Sequence, residues 1–302
     1  MGRYLESNDQ IKVSKLMTPN LVSVGPLFTA EKMAKVMVEH DISSVVVEED
    51  KTPIGVVTER DILVKLAADG FSPQSRTAKE LMTNPIISIH GDASLTEACM
   101  LMASNRIRRL FVHDDKSICG IITLTDIMNY LFKESMERHD ENFFNIRVQD
   151  FRFRPMVAVN ETESAQKAAF KMALHQVGAI LVAGTDRQCI FTERDVTRIT
   201  AEGLRSVSVT VGNRATCDLV SVQPTQTLAD IVQAMESHHI KRVLVLADDK
   251  INGIISIRDI LEKLFTAHVR EFNRKMISML TQKEMNTGQR NTTGPTDTGG
   301  MS

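Results

Sequence analysis

Four stretches decide how this chain is read: Gly55-Val56-Val57-Thr58-Glu59-Arg60-Asp61, Gly120-Ile121-Ile122-Thr123-Leu124-Thr125-Asp126, Cys189-Ile190-Phe191-Thr192-Glu193-Arg194-Asp195 and Gly253-Ile254-Ile255-Ser256-Ile257-Arg258-Asp259. Each is a short apolar strand closed by a hydroxyl residue, with an aspartate three positions further on. The aspartates stand 65, 69 and 64 residues apart, so one unit has been copied four times. A longer period lies over the short one: Asp61 to Asp195 spans 134 residues, Asp126 to Asp259 spans 133, and Gly70 to Gly203 spans 133. Thr-Glu-Arg-Asp occurs in units one and three only, whereas units two and four share a basic stretch, Arg106-Ile107-Arg108-Arg109 against His239-Ile240-Lys241-Arg242. Duplication of a pair explains both periods.

Working outward from the first stretch, Leu21 to Val24 is extended, and Ala30 to Glu39 sets Ala30, Met33, Val36 and Met37 on one helical face. The β-branched run Ser43 to Val47 predicts a buried strand, Glu48 to Thr52 a turn, Ile54 to Thr58 a second strand, and Asp61 the opening of a helix over Ile62 to Ala68. This β-α-β-β-α order recurs, which makes the chain α/β (α+β) with repeats at residues 11–67, 77–132, 146–200 and 209–265. A strand pair flanked by two helices leaves apolar faces uncovered, so consecutive units are expected to pack sheet to sheet around a shared core. The charged stretch 133–147 reads as helix end and connector. Residues 260–283 continue as a long amphipathic helix, and the tail at 282–302 carries too little apolar surface to order itself.

Composition narrows the function classes. With 36 basic and 38 acidic residues, a net charge of −2 gives no reason to expect a general nucleic-acid or anionic-membrane binder. No apolar run reaches the roughly 18 residues needed to span a bilayer, and the opening residues lack a signal-peptide layout, so a cytosolic protein is expected. Gly2 would suit myristoylation only with a hydroxyl residue where Glu6 stands. Cys99, Cys119, Cys189 and Cys217 form no CxxC pair and read as reduced, mostly buried thiols. His238 and His239 are adjacent, so they point about 100° apart on a helix and do not form a zinc pair. Met33, Met37, Met100 and Met102 read as plastic core filling, and Cys99 as a buried thiol.

Over residues 11–265 the chain resembles the cystathionine β-synthase (CBS) domain family. The resemblance rests on Leu16-Met17-Thr18-Pro19, Leu81-Met82-Thr83-Asn84-Pro85, the passage Asn105 to Val112 and the four endings quoted above. It implies that two repeats form a Bateman module with two clefts for an adenosine-containing ligand, and that four repeats form a disk from a monomer or a homodimer. The chemistry agrees. A carboxylate at a strand-to-helix turn can accept hydrogen bonds from both ribose hydroxyls, and the neighbouring hydroxyl and helix N-terminus can meet phosphate. The candidate ligand residues are therefore Thr58, Asp61, Thr123, Asp126, Thr192, Asp195, Ser256 and Asp259. The family pattern adds phosphate-facing Arg106, Arg108, Arg109, His239, Lys241 and Arg242. Units one and three offer Asp41, Ser43, Ser44, Gln176, Gly178 and Ala179 there instead. Two strong sites are thus expected, Asp61 with the basic strand of unit two and Asp195 with that of unit four, leaving the clefts at Asp126 and Asp259 weaker. Cys189 replaces the glycine of the other endings and is expected to narrow the Asp195 cleft.

The reading that follows is a non-catalytic sensor of AMP, ADP or ATP that needs no metal and acts on an unidentified protein partner. Three other readings stand beside it. The ligand could be S-adenosylmethionine or another adenosyl compound. The chain could be a regulatory relative of inosine monophosphate dehydrogenase, although a catalytic barrel needs about 250 residues and the repeats occupy most of this sequence. The aspartates could simply cap helices of a ligand-free scaffold, at about 1 kcal/mol each. The basic stretches could equally be solvated faces or a partner interface.

Overall fold

The structure is a computed structural model that describes residues 11–19, 21–115, 117–138, 145–153, 156–185, 187–248 and 250–264. The far part of the expected helix over 260–283 and the tail at 282–302 lie outside the described residues; residues 257–264 are helical. In unit one, β2 (Ser23–Val24) runs parallel to β3 (Ser44–Glu49), which pairs antiparallel with β4 (Thr52–Thr58). Between them α1 (Ala30–Glu39) covers the range its periodicity predicts and buries Ala30, Met33, Ala34 and Met37. After β4, α2 (Glu59–Ile62) runs on as a π-helical turn, Leu63–Ala67, that buries Leu63, Leu66 and Ala67.

The other units repeat the plan. Unit two has β5 (Ser88–His90), α3 (Leu95–Ser104), β6 (Arg109–His113), β7 (Ile118–Thr123) and α4 (Leu124–Arg138). Unit three has β8 (Ala158–Asn160), α5 (Ala165–Leu174), β9 (Ala179–Ala183), β10 (Gln188–Thr192) and α6 (Glu193–Ala201). Unit four has β11 (Ser221–Val222), α7 (Leu228–Ser237), β12 (Arg242–Ala247), β13 (Lys250–Ser256) and the helical residues 257–264.

Every first helix ends the same way. Asp41, Arg106, Gln176 and His239 take left-handed φ values of 48°, 55°, 54° and 52°, each at the position just past the helix. Gly70 and Gly203, with φ of 70° and 74°, turn the chain after the second helices of units one and three. A side chain at Gly70 would also meet the Gln166 amide 2.6 Å away, which a flexible glutamine can vacate, so it is the backbone conformation that demands glycine there.

Consecutive units are joined by strand exchange. The short lead-in strand β1 (Thr18–Pro19) of unit one pairs with Ile121 and Gly120 of unit two, and Thr83, leading into unit two, pairs back with Val56 of unit one. Thr216, leading into unit four, pairs with Ile190 of unit three. The large apolar cores join different units. One combines Met33, Met37, Leu63 and Leu66 of unit one with Ala165, Met172, Val196 and Ile199 of unit three. A second combines Leu95, Met102, Ile127 and Leu131 of unit two with Leu228, Ile231, Met235 and Ile260 of unit four. Helices thus cement units one to three and two to four, and exchanged strands bind one to two and three to four. The opposite strand faces are buried as well, at Val46, Phe111 and Leu244.

Candidate functional site

The strand-to-helix junctions all contain one device. Thr58 is the N-cap of α2, and Asp61 is the third helical residue, not the cap, which corrects the expected helix opening. Asp61 Oδ2 accepts from the Thr58 backbone N–H (2.9 Å) and hydroxyl (2.6 Å). The same pair of bonds joins Asp126 to Thr123 (2.7 and 2.7 Å), Asp195 to Thr192 (2.8 and 2.8 Å) and Asp259 to Ser256 (2.8 and 2.5 Å). This is a capping box with aspartate at its far corner. It also occurs at Thr227 and Asp230, which start α7 away from any strand-to-helix junction. Capping accounts for Oδ2 in every case and leaves Oδ1 to distinguish the four.

There the units divide. Asp61 and Asp195 are buried, 8% and 5% exposed, whereas Asp126 and Asp259 are half-buried. Asp61 Oδ1 accepts from the Thr83 hydroxyl at 2.9 Å and pairs with Lys65 Nζ at 2.9 Å. Asp195 Oδ1 pairs with Arg198 at 3.3 Å. Burial pushes the Asp195 carboxyl above its ordinary pKa, against the bonds from Thr192 and the charge of Arg198. Oδ1 of Asp126 and Asp259 carries no hydrogen bond or ion pair among the described residues.

The residues between hydroxyl and aspartate build a charged centre. Arg60 Nη1 of unit one donates to the Val177 carbonyl (2.7 Å) and pairs with Glu193 of unit three at 3.3 Å. Reciprocally, Arg194 donates to the Ile42 carbonyl (3.2 Å), and its Nε lies 2.7 Å from Glu59 Oε1. That N–H is not aimed at Oε1, which has no hydrogen-bond donor among the described residues. Arg108 adds a second ion pair to Glu193 at 3.1 Å. Arg109 donates to the Ser43 carbonyl at 3.0 Å, and Arg242 to the Gly178 carbonyl at 2.7 Å. Lys241 faces Glu59 from an exposed position, as its electrostatics show. Six cations thus converge on two buried carboxylates.

Their protonation follows from that imbalance. Burial drives the Arg109 guanidinium down to about 10, helped by Arg108 and opposed by Glu59 and Glu193. Desolvation likewise lowers Arg242, and the protein crowding one side of the solvent-exposed Lys241, with Arg194, Arg109 and Arg108 adding their charge, lowers that ammonium too. Burial raises Glu59 despite Arg194 and Lys241. On Glu193 burial also acts upward, but Arg108, Arg242 and Arg60 outweigh it and hold the carboxyl below its ordinary value.

Of the sequence candidates, Arg108, Arg109, Lys241 and Arg242 are brought together. Arg106 and His239 occupy the exposed left-handed positions after their helices, where backbone geometry accounts for them. The β-ladders place Arg109 opposite Thr123 and Arg242 opposite Ser256. The guanidinium heads nevertheless cross to the preceding unit, where Arg109 donates to Ser43 and feels the charge of Asp61, and Arg242 donates to Gly178 and feels that of Asp195. Sequence reading passed over Glu59, Arg60, Glu193 and Arg194, although their confinement to units one and three was the signal that marks them. Cys189 and Cys217 are joined in a disulfide, which corrects the expectation of four reduced thiols; Cys99 and Cys119 are free. A hollow of about 520 Å³ lies between the β9–β10 turn and the sheet of unit four, lined among others by Thr185, Arg187, Leu219, Leu244 and Ile251; none of the four aspartates lines it. Among the described residues no His, Cys, Asp and Glu cluster could hold a metal ion, and no helix is long and apolar enough to cross a membrane.

A family model described as CBS domain matches residues 13–68, 78–133 and 211–266. Unit three has the same element order outside the matched ranges. An uncharacterized protein of Methanopyrus kandleri is 34% identical over 139 residues, covering 43% of this chain and 71% of the relative. The CBS domain-containing protein YhcV of Bacillus subtilis is 32% identical over 124 residues, 41% of this chain and 88% of the relative. Protein MJ1225 of Methanocaldococcus jannaschii, proposed as an archaeal homolog of γ-AMPK, superposes with a TM-score of 0.72 over 84% of this chain and 100% of that one. At 18% identity it shows the fold alone.

Proposed function

Because the chain belongs to the CBS domain family, we propose that it is a regulatory protein whose modules sense an adenine nucleotide and pass its occupancy to a protein partner. The observation that carries this reading is the surplus of cations at the centre, together with aspartates that keep a carboxylate oxygen open. Gathering six cations, some of them only partly buried, around two buried carboxylates is unfavourable, and an incoming phosphate would relieve it.

Two features point to different clefts: the Arg109 and Arg242 heads lie with Asp61 and Asp195, the pairing expected from sequence, whereas the open carboxylate oxygens belong to Asp126 and Asp259, where we place the ribose contacts. Oδ1 of Asp126 and of Asp259 would take ribose hydroxyls, while Arg108 with Arg109, and Lys241 with Arg242, would face phosphate. At units one and three Lys65, Thr83 and Arg198 already occupy the corresponding oxygen. Arg108 also holds Glu193 of the other module, so a phosphate drawing on Arg108 would loosen that ion pair and change how the modules meet. The size of this coupling is bounded by the difference in ligand affinity between the two arrangements.

Calorimetry with AMP, ADP and ATP tests the reading, with S-adenosylmethionine and NADH as comparators. Asp126→Ala and Asp259→Ala should each cost roughly thirtyfold in affinity, about 2 kcal/mol for charge-assisted bonds. Silence toward every nucleotide at millimolar concentration would defeat it. The capping box at Thr227 and Asp230 favours a second reading, a scaffold in which all these boxes only cap helices. Thermal unfolding separates the two, since a nucleotide at 100 times its Kd adds about 2.7 kcal/mol to a binding protein and nothing to a scaffold.

A further inference from the structure

The disulfide lies where two units exchange strands. Ile190 and Thr216 trade both backbone hydrogen bonds, at 2.8 and 2.9 Å. One step outward is the non-hydrogen-bonded position, where facing Cα atoms approach most closely in an antiparallel pair. Cys189 and Cys217 occupy it with Cα atoms 4.1 Å apart. The matching position in the first module is Gly55 beside Asn84, one step out from the equivalent Val56–Thr83 bridge, and the reciprocal contact pairs Gly120 with Pro19. A side chain at Gly55 would strike Met82, and one at Gly120 would strike Met17 Sδ at 2.7 Å. The second module carries Ala215 where Met17 and Met82 stand, which makes room for a side chain at 189. Three residues thus change together: glycine to cysteine, methionine to alanine, and a second cysteine opposite the first. The bond can be reached from one end, because Cys217 is half-exposed while Cys189 is 6% exposed.

We propose that Cys189 and Cys217 form a reversible redox staple that locks unit four onto unit three. A dithiol reductant opens it by thiol–disulfide exchange. Its thiolate attacks the accessible sulfur of Cys217, the Cys189–Cys217 bond breaks, and Cys189 leaves as a thiolate that takes up a proton. The second thiol of the reductant then attacks the mixed disulfide, releasing Cys217 as a thiol and the reductant as its disulfide, with two electrons transferred in all. A disulfide oxidant reverses both steps. Opening leaves this end of the lead-in strand of unit four to the Ile190–Thr216 hydrogen bonds, with no covalent tie beside them. Gln188 and Leu219, which flank the cysteines, also line the 520 Å³ hollow, so the bond sets how far its walls can part. The first module, with glycine in place of cysteine, has no such control.

The test is peptide mapping of the native full chain without prior reduction, after incubation in oxidised and then in reduced dithiothreitol, with hydrogen exchange measured in both states. The staple predicts a linked Cys189–Cys217 peptide in the first buffer and its loss in the second without unfolding. It also predicts exchange at the Ile190 and Thr216 amides about tenfold or more faster after reduction. Cys217→Ser should exchange at the faster rate in both buffers. Absence of the linked peptide after oxidation, a bond that opens only in denaturant, or equal exchange in both states would each overturn the proposal.

Discussion

Units one and three share with units two and four one capping box at one place in the fold, yet the two pairs put it to different use. In units one and three, Glu and Arg follow the hydroxyl residue, and the junction turns inward: the carboxylate is buried, its second oxygen is engaged, and the arginine crosses to the other module. In units two and four, Leu124 with Thr125 and Ile257 with Arg258 stand there, and the aspartate is half-buried and keeps an oxygen open. The comparison teaches that a repeated motif fixes a backbone, while the two residues inside it decide whether that backbone builds an interface or a site.

Breaking the interface half of the comparison should have the largest effect. Glu193→Ala leaves Arg60 and Arg108 without their carboxylate and should cost about 3–5 kcal/mol in urea unfolding. Glu59→Ala should cost less than half of that, because the surroundings of Glu59 disfavour its charge and one oxygen already lacks a donor. Equal losses would show that the two halves of the reciprocal contact carry the same load. Next comes the site half: Asp126→Ala should lose roughly thirtyfold in nucleotide affinity by calorimetry, about 2 kcal/mol. Asp61→Ala should act on unfolding instead, through Lys65 and Thr83. A smaller effect separates capping from binding, since Thr227→Ala and Thr123→Ala should each destabilise by about 1 kcal/mol, with nucleotide affinity moving only in the second.

The smallest is a pH effect of opposite sign at the two glutamates. Glu59 has a folded pKa above its ordinary 4.5, so the folded chain holds that proton more tightly and stability falls as pH rises from 4.5 through the raised value. Glu193 has a lowered folded pKa, so its contribution is present above 4.5 and fades as pH drops through the lowered value. Glu59→Gln should therefore gain up to about 1 kcal/mol on wild type between pH 4 and 7 in urea midpoints. A flat difference would mean that Glu59 is charged at no cost.

Much of the fold was legible because periodicity speaks for itself: α1 falls on its predicted range, and the endings of all four units are strand, hydroxyl cap and helix. What escaped was which unit leans on which. Apolar stripes announce that Met33, Met37, Ala168 and Met172 are buried, but carry no address for the surface that buries them. The candidate site was half legible for the same reason. Arg108, Arg109, Lys241 and Arg242 stood out as charges, whereas the carbonyls of Ser43 and Gly178 that their strands reach depend on how the units meet. Cys189 was noticed only as a missing glycine, because its partner is 28 residues further on in a segment without periodic signal.

The helical core between units one and three also matters during synthesis. Ala30, Met33 and Met37 are covered by residues that run as far as Ile199 and Ala201. At translation speeds of about 5–20 residues per second, that greasy stripe leaves the ribosome on the order of ten to thirty seconds before its cover does. The nascent first half must travel in that interval with an unsheathed helix, a natural place for a chaperone to hold it.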